Sequence, residues 1–209
     1  MKKIFKKKSW IAVVAVVAIV LIGMYFPFRS SYKETLQALV FKCDENGVVV
    51  EDVVIDEITI KIDANRHKVL LSDRQTISGR VEFSAYYKAE TGREENVTFV
   101  LESRYAKPLA DNQNIAKAPI EGDDQTRAEE TKSESGKYLI CSNIYYEDNG
   151  AYEVGLAYRE PAHIPIQQEM KYTENFDKMI WTDYENGYVY VCAMDKVDVA
   201  AVRTYFNLN

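Results

Sequence analysis

The spacing of apolar and polar residues divides the chain into one long unbroken apolar run and a succession of short alternating ones. Residues 9–28 read Ser-Trp-Ile-Ala-Val-Val-Ala-Val-Val-Ala-Ile-Val-Leu-Ile-Gly-Met-Tyr-Phe-Pro-Phe, without a charge. At about 1.5 Å per residue, a helix of that length covers about 30 Å, the depth of a bilayer's hydrocarbon core. The run therefore predicts a membrane-spanning signal-anchor helix. Trp10, Tyr25 and Phe26 fall where aromatic rings sit at the headgroups, and Pro27 gives the helix a stop. A cleaved secretory signal is the competing reading. It fits less well, because the apolar run is long and no Ala-x-Ala-like pattern follows it.

Beyond residue 28 the dominant period is two. Ile58, Ile60 and Ile62 alternate with Thr59, Lys61 and Asp63, and a short strand is expected to follow over residues 67–71. Ile77, Gly79, Val81, Phe83, Ala85 and Tyr87 share one face, with Ser78, Arg80, Glu82, Ser84, Tyr86 and Lys88 on the other. Thr91-Gly92 turns this segment into Val97, Phe99 and Leu101. Residues 138–146 are apolar on both faces, as is the strand before the closing helix, residues 188–194, which is the pattern of strands covered on both sides. Asn46-Gly47, Asn149-Gly150 and Asn186-Gly187 each stand between strand-like segments. They predict type I′ hairpins, in which both central residues take positive φ, and hence antiparallel neighbours.

Two stretches do not follow this rule. Residues 30–42 combine a helix-opening signal, Ser31 with Glu34, with a strand-like alternation of Leu39, Phe41 and Cys43; the end of the stretch reads as strand. Residues 106–136 lack aromatic residues and apolar periodicity, and predict a long mobile loop. The chain closes on a helical arc of Val197, Val199, Ala201, Val202, Tyr205 and Phe206, with Asp195 as the expected N-cap. Packed on the sheet, that arc would account for the doubly apolar strand before it. The expected fold is thus mainly β (α+β): one N-terminal transmembrane helix, then an antiparallel, hairpin-rich domain with a C-terminal helix on its sheet.

Charge orients this arrangement. Lys2, Lys3, Lys6, Lys7 and Lys8 precede the apolar run, and only Arg29 and Lys33 follow it closely. The positive-inside bias makes residues 1–8 a cytoplasmic tail, residues 9–28 the span, and residues 29–209 an extracytoplasmic domain of a single-pass cell-membrane protein. The chain carries 26 Lys and Arg against 32 Asp and Glu; without the five leading lysines the balance is 21 against 32, a net charge of −11. A domain of that sign has no electrostatic reason to bind nucleic acid. The expected partners are the lipid bilayer, through residues 9–28, and an envelope protein or wall component. The Met-Lys-Lys start and the low cysteine content point to a bacterial chain.

Candidate chemistry is sparse. Cys43, Cys141 and Cys192 are odd in number and widely spaced, and read as small hydrophobes within strands in preference to one bridge plus a reactive thiol. His67 and His163 have no second ligand at a metal-site spacing. The acidic runs before Asn46-Gly47 and Asn149-Gly150 do not continue into a calcium loop. No catalytic, cofactor-binding or metal residue is singled out. The 15 tyrosines fall mainly on strands, where most are expected to fill a core in place of Phe; those on a solvent face, with Tyr86, Tyr145 and Tyr158 as the candidates, would form a binding surface. A non-enzymatic binding or structural module of the cell envelope is the function expected; the alternative is an envelope hydrolase whose site assembles only on folding.

Overall fold

The computed structural model describes residues 2–69, 75–88, 91–103, 136–146, 149–158 and 167–208, with the side chains of the N-terminal helix described over residues 10–23. The fold is mainly β, with a helix at each end. Helix α1 (Lys2–Tyr25) leads into strands β1 (Pro27–Lys42), β2 (Asp56–Val69), β3 (Gln75–Lys88), β4 (Gly92–Ser103), β5 (Gly136–Tyr146), β6 (Tyr152–Tyr158), β7 (Gln168–Tyr172), β8 (Lys178–Asp183) and β9 (Tyr188–Ala193). Helix α2 (Val199–Tyr205) ends the chain. The strands pair in sequence order and β9 returns to β1, which closes a barrel. Every neighbouring pair is antiparallel except β4 and β5, which run parallel from Thr98↔Gly136 to Ser103↔Cys141.

Several boundaries differ from those expected of the sequence. Proline cannot continue the helix, so α1 stops at Tyr25; Pro27 and Phe28, counted in the expected span, open β1. Among the described residues no helix is long and apolar enough to cross a membrane. Residues 10–23 alone cover about 20 Å at 1.5 Å per residue. The capping signal at Ser31 and Glu34 is overridden: the whole stretch pairs with β2, from Pro27↔Val69 to Val40↔Asp56. The separate strand expected after residue 66 is instead the end of β2. Strand β7 carries no signal that the alternation analysis found. The expected loop over residues 106–136 lies outside the described residues, apart from Gly136 at the start of β5.

The three Asn-Gly pairs do turn antiparallel neighbours, but not as type I′ turns. Only the glycines take positive φ, at 76° for Gly47, 86° for Gly150 and 73° for Gly187. An aspartate explains two of these turns. Asp44 Oδ1 accepts from the Asn46 and Val48 amides, both at 2.9 Å, and Asp183 Oδ1 accepts from the Asn186 amide at 3.1 Å. These side-chain bonds hold the asparagine at ordinary φ and leave the glycine alone to reverse the chain.

Alternation decides which side chains fill the barrel. Leu36, Ala38 and Val40 of β1, Ile58, Ile60, Ile62 and Ala64 of β2, and Phe83, Phe99, Trp181 and Tyr190 belong to one buried interior cluster. Phe83 packs edge-on against Phe99, Trp181 and Tyr190 with ring centroids 5.1–5.3 Å apart. Aromatic pairs in this arrangement add to the burial of their area. Cys141 and Cys192 are interior members of the cluster, and all three cysteines are free. A second cluster lies outside the barrel wall. There Val202 and Phe206 of the α2 region cover Phe41, Ile180, Val189 and Val191. That cover explains why β8 and β9 are buried on both faces. The helix is capped by Asp198, whose side chain accepts from the Ala201 amide at 3.0 Å, and not by Asp195 as expected, because the chain turns helical only at Val199.

Barrel closure brings β2 and β3 into close approach at Gly79. Its φ is 147°, and a β-carbon added there would stand 2.1 Å from the Asp63 carbonyl oxygen and 2.7 Å from the Ala64 α-carbon. Both obstacles are backbone, so no side-chain rotation relieves them. Gly79→Ala is therefore expected to destabilise the barrel by on the order of 3 kcal/mol or more. Urea unfolding followed by tryptophan fluorescence would show it, and an unchanged midpoint would refute the close approach.

Candidate functional site

Two polar clusters interrupt the apolar interior, one toward each end of the barrel. The first assembles where β3, β7 and β8 end or begin. Trp181 Nε1 donates to Gln168 Oε1 at 2.8 Å, Gln168 Nε2 donates to the Tyr86 hydroxyl at 3.0 Å, and the Tyr86 hydroxyl donates to Asp183 Oδ2. Asn186 Nδ2 donates to the same carboxylate oxygen at 2.7 Å. The donors run in one direction and converge on Asp183. Gln168 and Asp183 are fully buried, and Trp181 and Tyr86 with them.

Burial pushes the Asp183 carboxyl above the ordinary carboxylate range, against the hydrogen bonds from Tyr86 and Asn186 that favour its ionised form. Desolvation thus outweighs the donors around it. Chains of this kind hold an interior in one arrangement, because each member left alone would strand a buried donor or acceptor.

The second cluster surrounds Arg66, the inward residue of β2 that follows Ala64 in the two-residue period. Its guanidinium is buried and donates through Nη2 to Glu174 Oε1 at 2.9 Å. The Tyr32 and Tyr152 rings flank it, with centroids 5.5 and 5.2 Å from Cζ. Tyr152 stacks on Tyr172 at 5.4 Å, and Tyr172 stacks on Phe176 at 4.6 Å with the rings 4° from parallel. Lys68, two residues along β2, reaches the Tyr152 hydroxyl at 3.4 Å. Among the described residues, Arg66 Nη1, the Tyr172 hydroxyl and Gln75 Oε1 are buried polar atoms without a hydrogen-bond partner. Burial pushes the Tyr172 hydroxyl well up, and the nearby Arg66 charge only partly offsets it.

Of the three candidate surface tyrosines, only the Tyr86 side chain lies among the described residues. Tyr86, assigned by alternation to the exposed face of β3, is fully buried. The alternation breaks at Ala85 and Tyr86, both of which are inside. The β2–β3 ladder ends at Ile60↔Phe83, and the Thr59 amide donates to Ser84 Oγ at 2.9 Å where the next rung would stand. Beyond that break Tyr86 turns inward to reach Asp183. Tyr145 and Tyr158 lie on β5 and β6, with their side chains outside the described residues. His67 is on β2, and His163 lies outside the described residues. Among the described residues no three of His, Cys, Asp and Glu come together as metal ligands.

Sequence reasoning missed Arg66, Tyr172, Gln168 and Asp183. A signal existed for two of them. Continuing the Ile58, Ile60, Ile62 period reaches Arg66, and continuing Met179 and Trp181 reaches Asp183, so each is a charge at an inward position. Gln168 and Tyr172 sit on the strand that alternation did not reveal.

The polar chain has a measurable signature. Because Asp183 is raised on folding, its neutral form confers stability that is fully present below the ordinary carboxylate pKa and is lost as pH rises through the raised value. Asp183→Asn should remove that segment of the stability-versus-pH curve, whatever its effect on absolute stability. Tyr86→Phe should cost about 2 to 3 kcal/mol at neutral pH, since it removes the hydrogen bond from Gln168 Nε2 and one donor to the carboxylate. Denaturation curves from pH 4 to 8 test both; parallel curves for the parent and Asp183→Asn would refute the shift. Compared with protein-family models, with curated proteins and with solved structures, the chain matches none.

Proposed function

We propose that this chain is a single-pass, membrane-anchored barrel that works by recognition in the cell envelope and not by catalysis. The single observation behind the second half of that reading is how the polar interior is used. Tyr86, Gln168, Trp181, Asp183 and Asn186 are linked to one another by hydrogen bonds inside the barrel. A catalytic carboxylate needs a path to substrate, whereas Asp183 has no solvent exposure.

The anchor rests on the uncharged residues 9–25 of α1 and on the five lysines before them, which keep the N-terminus cytoplasmic and the barrel outside. Helix α1 spans 24 residues, about 36 Å at 1.5 Å per residue, and only Phe26 separates it from β1. So short a connection holds the barrel close to the bilayer.

The other end of β1 points the recognition surface away from the anchor. The connection from β1 to β2 carries Val48, Val50, Val53 and Val54, all of them exposed. Valines so placed supply apolar contact area to an envelope protein or wall component.

A photo-crosslinker at position 50, in intact cells, should capture one reproducible envelope component, and the same group at Glu102 should not. Protease added to wall-stripped cells should degrade a C-terminal tag. Full protection of the tag would sink the topology, and turnover of a wall glycan or peptide by the purified protein would sink the recognition reading.

A further inference from the structure

Closure of the wall uses only the second half of β1. Strand β2 pairs with β1 from Pro27↔Val69 to Val40↔Asp56, whereas β9 pairs with it only from Gln37↔Ala193 to Lys42↔Tyr188. In an antiparallel ladder the amide and carbonyl of one residue point to the same side, and the side alternates along the strand. The Cys43 amide donates to the Gly187 carbonyl at 3.0 Å, so odd-numbered residues of β1 face β9. The Val40 carbonyl accepts from the Ile55 amide at 2.8 Å, so even-numbered residues face the β2 side. The amides and carbonyls of Arg29, Ser31, Lys33 and Thr35 therefore point to where β9 has already ended. Among the described residues they have no backbone partner there, and all four residues are exposed.

Sheet edges are commonly shielded by a bulge or by a charged side chain held at the edge. Neither shields this one. The β1–β2 register runs without a bulge, and the edge side chains lean back over β2. Lys33 Nζ stands 3.1 Å from Asp63 Oδ2, while Arg29 Nη2 and Ser31 Oγ donate to Asn65 Oδ1 at 2.8 and 2.6 Å.

We propose that residues 29–35 form a docking edge to which an extended segment of a partner protein adds as a further strand. Unpaired backbone groups in a row select an extended chain, and the two faces of β1 select its side chains. Phe28, Ser30 and Tyr32 share the inward face; Phe28 is 49% exposed, and the Tyr32 ring meets Phe176 edge-on at 5.1 Å. Partner residues beside them are apolar. On the outward face Arg29 is bonded to a neutral side chain, so its charge is left for a neighbour, and partner residues on that face are acidic. The segment thus alternates apolar and acidic positions.

The proposal extends the recognition reading to a second surface, and rests on that reading. Its failure would leave the anchor and the valine surface untouched, whereas a failed crosslink at position 50 would leave this edge untouched. In the full-length protein in detergent, amide exchange followed by NMR should show Ser30, Tyr32 and Glu34 protected, with Ser31, Lys33 and Thr35 exchanging freely. A blocked peptide of alternating valine and glutamate, matched in length to residues 29–35, should bind with saturation and slow the second set about tenfold or more. Replacing its glutamates by lysines should weaken binding. N-methylation of its glutamates and N-methylation of its valines should differ, one abolishing binding and the other sparing it, because an added strand turns only alternate amides to the edge. Ser31→Pro removes an amide that the fold does not use, and should weaken peptide binding about tenfold or more with little change in melting temperature. Arg29→Glu should shift the preference toward the lysine peptide. The absence of saturable binding, equal affinities of the two methylated peptides, or parent affinity in Ser31→Pro would each overturn the proposal. Protection of the odd-numbered amides without peptide, in a protein of dimer mass, would overturn it too and assign the edge to a second copy of this chain.

Discussion

The pairing of β1 with β9, from Gln37↔Ala193 to Lys42↔Tyr188, is the contact on which the other features of this fold depend. It joins strands from opposite ends of the chain and, over those residues, removes the free edges that an open sheet would present. Once the wall is closed, side chains on one face of every strand meet, and a single cluster from Leu36 to Cys192 fills the space. The closure also fixes the place of the last helix. Its apolar residues cover the outer face of the β1, β8 and β9 seam, so Phe41, Ile180 and Val191 are buried from outside while Trp181 and Tyr190 are buried from within.

Closure has an electrostatic consequence as well. A filled barrel has a low-dielectric interior, in which a charge or an unpaired polar atom is expensive. At Asp183 the interior meets that expense by aiming several donors at one carboxylate, and by favouring the proton on it. At Arg66 it does so only partly, with two ring faces and one exposed glutamate. The two clusters therefore differ in kind. The first links β3, β7 and β8 through hydrogen bonds that converge on Asp183. The second leaves Arg66 Nη1 and the Tyr172 hydroxyl without a partner among the described residues.

Elements with strong local signals were legible in the chain. The isoleucine alternation of β2, the face of β3 through Ala85, the return through Phe99, and the apolar β8 and β9 all appear where periodicity puts them, and the Asn-Gly pairs mark reversals between antiparallel strands. Turn type was not legible, since it is set by carboxylates at Asp44 and Asp183 that hold the asparagines out of positive φ. The start of β1 was misleading for a related reason. A local capping signal was weighed there against pairing with β2, a partner that no local pattern reveals.

The sequence by itself determined the alternation that makes this a β protein, the closing amphipathic helix, the acidic balance, and the uncharged run of residues 9–28 behind five lysines. These are properties of neighbouring residues, and short-range sterics and solvation are enough to express them. Tertiary structure alone decided that the sheet closes, that β4 and β5 lie parallel, that Tyr86 turns inward, and that Arg66 and Glu174 meet. Each of these joins residues from strands far apart in the chain. Their encounter depends on the loop-closure entropy and packing of the whole barrel, which no local window of sequence contains.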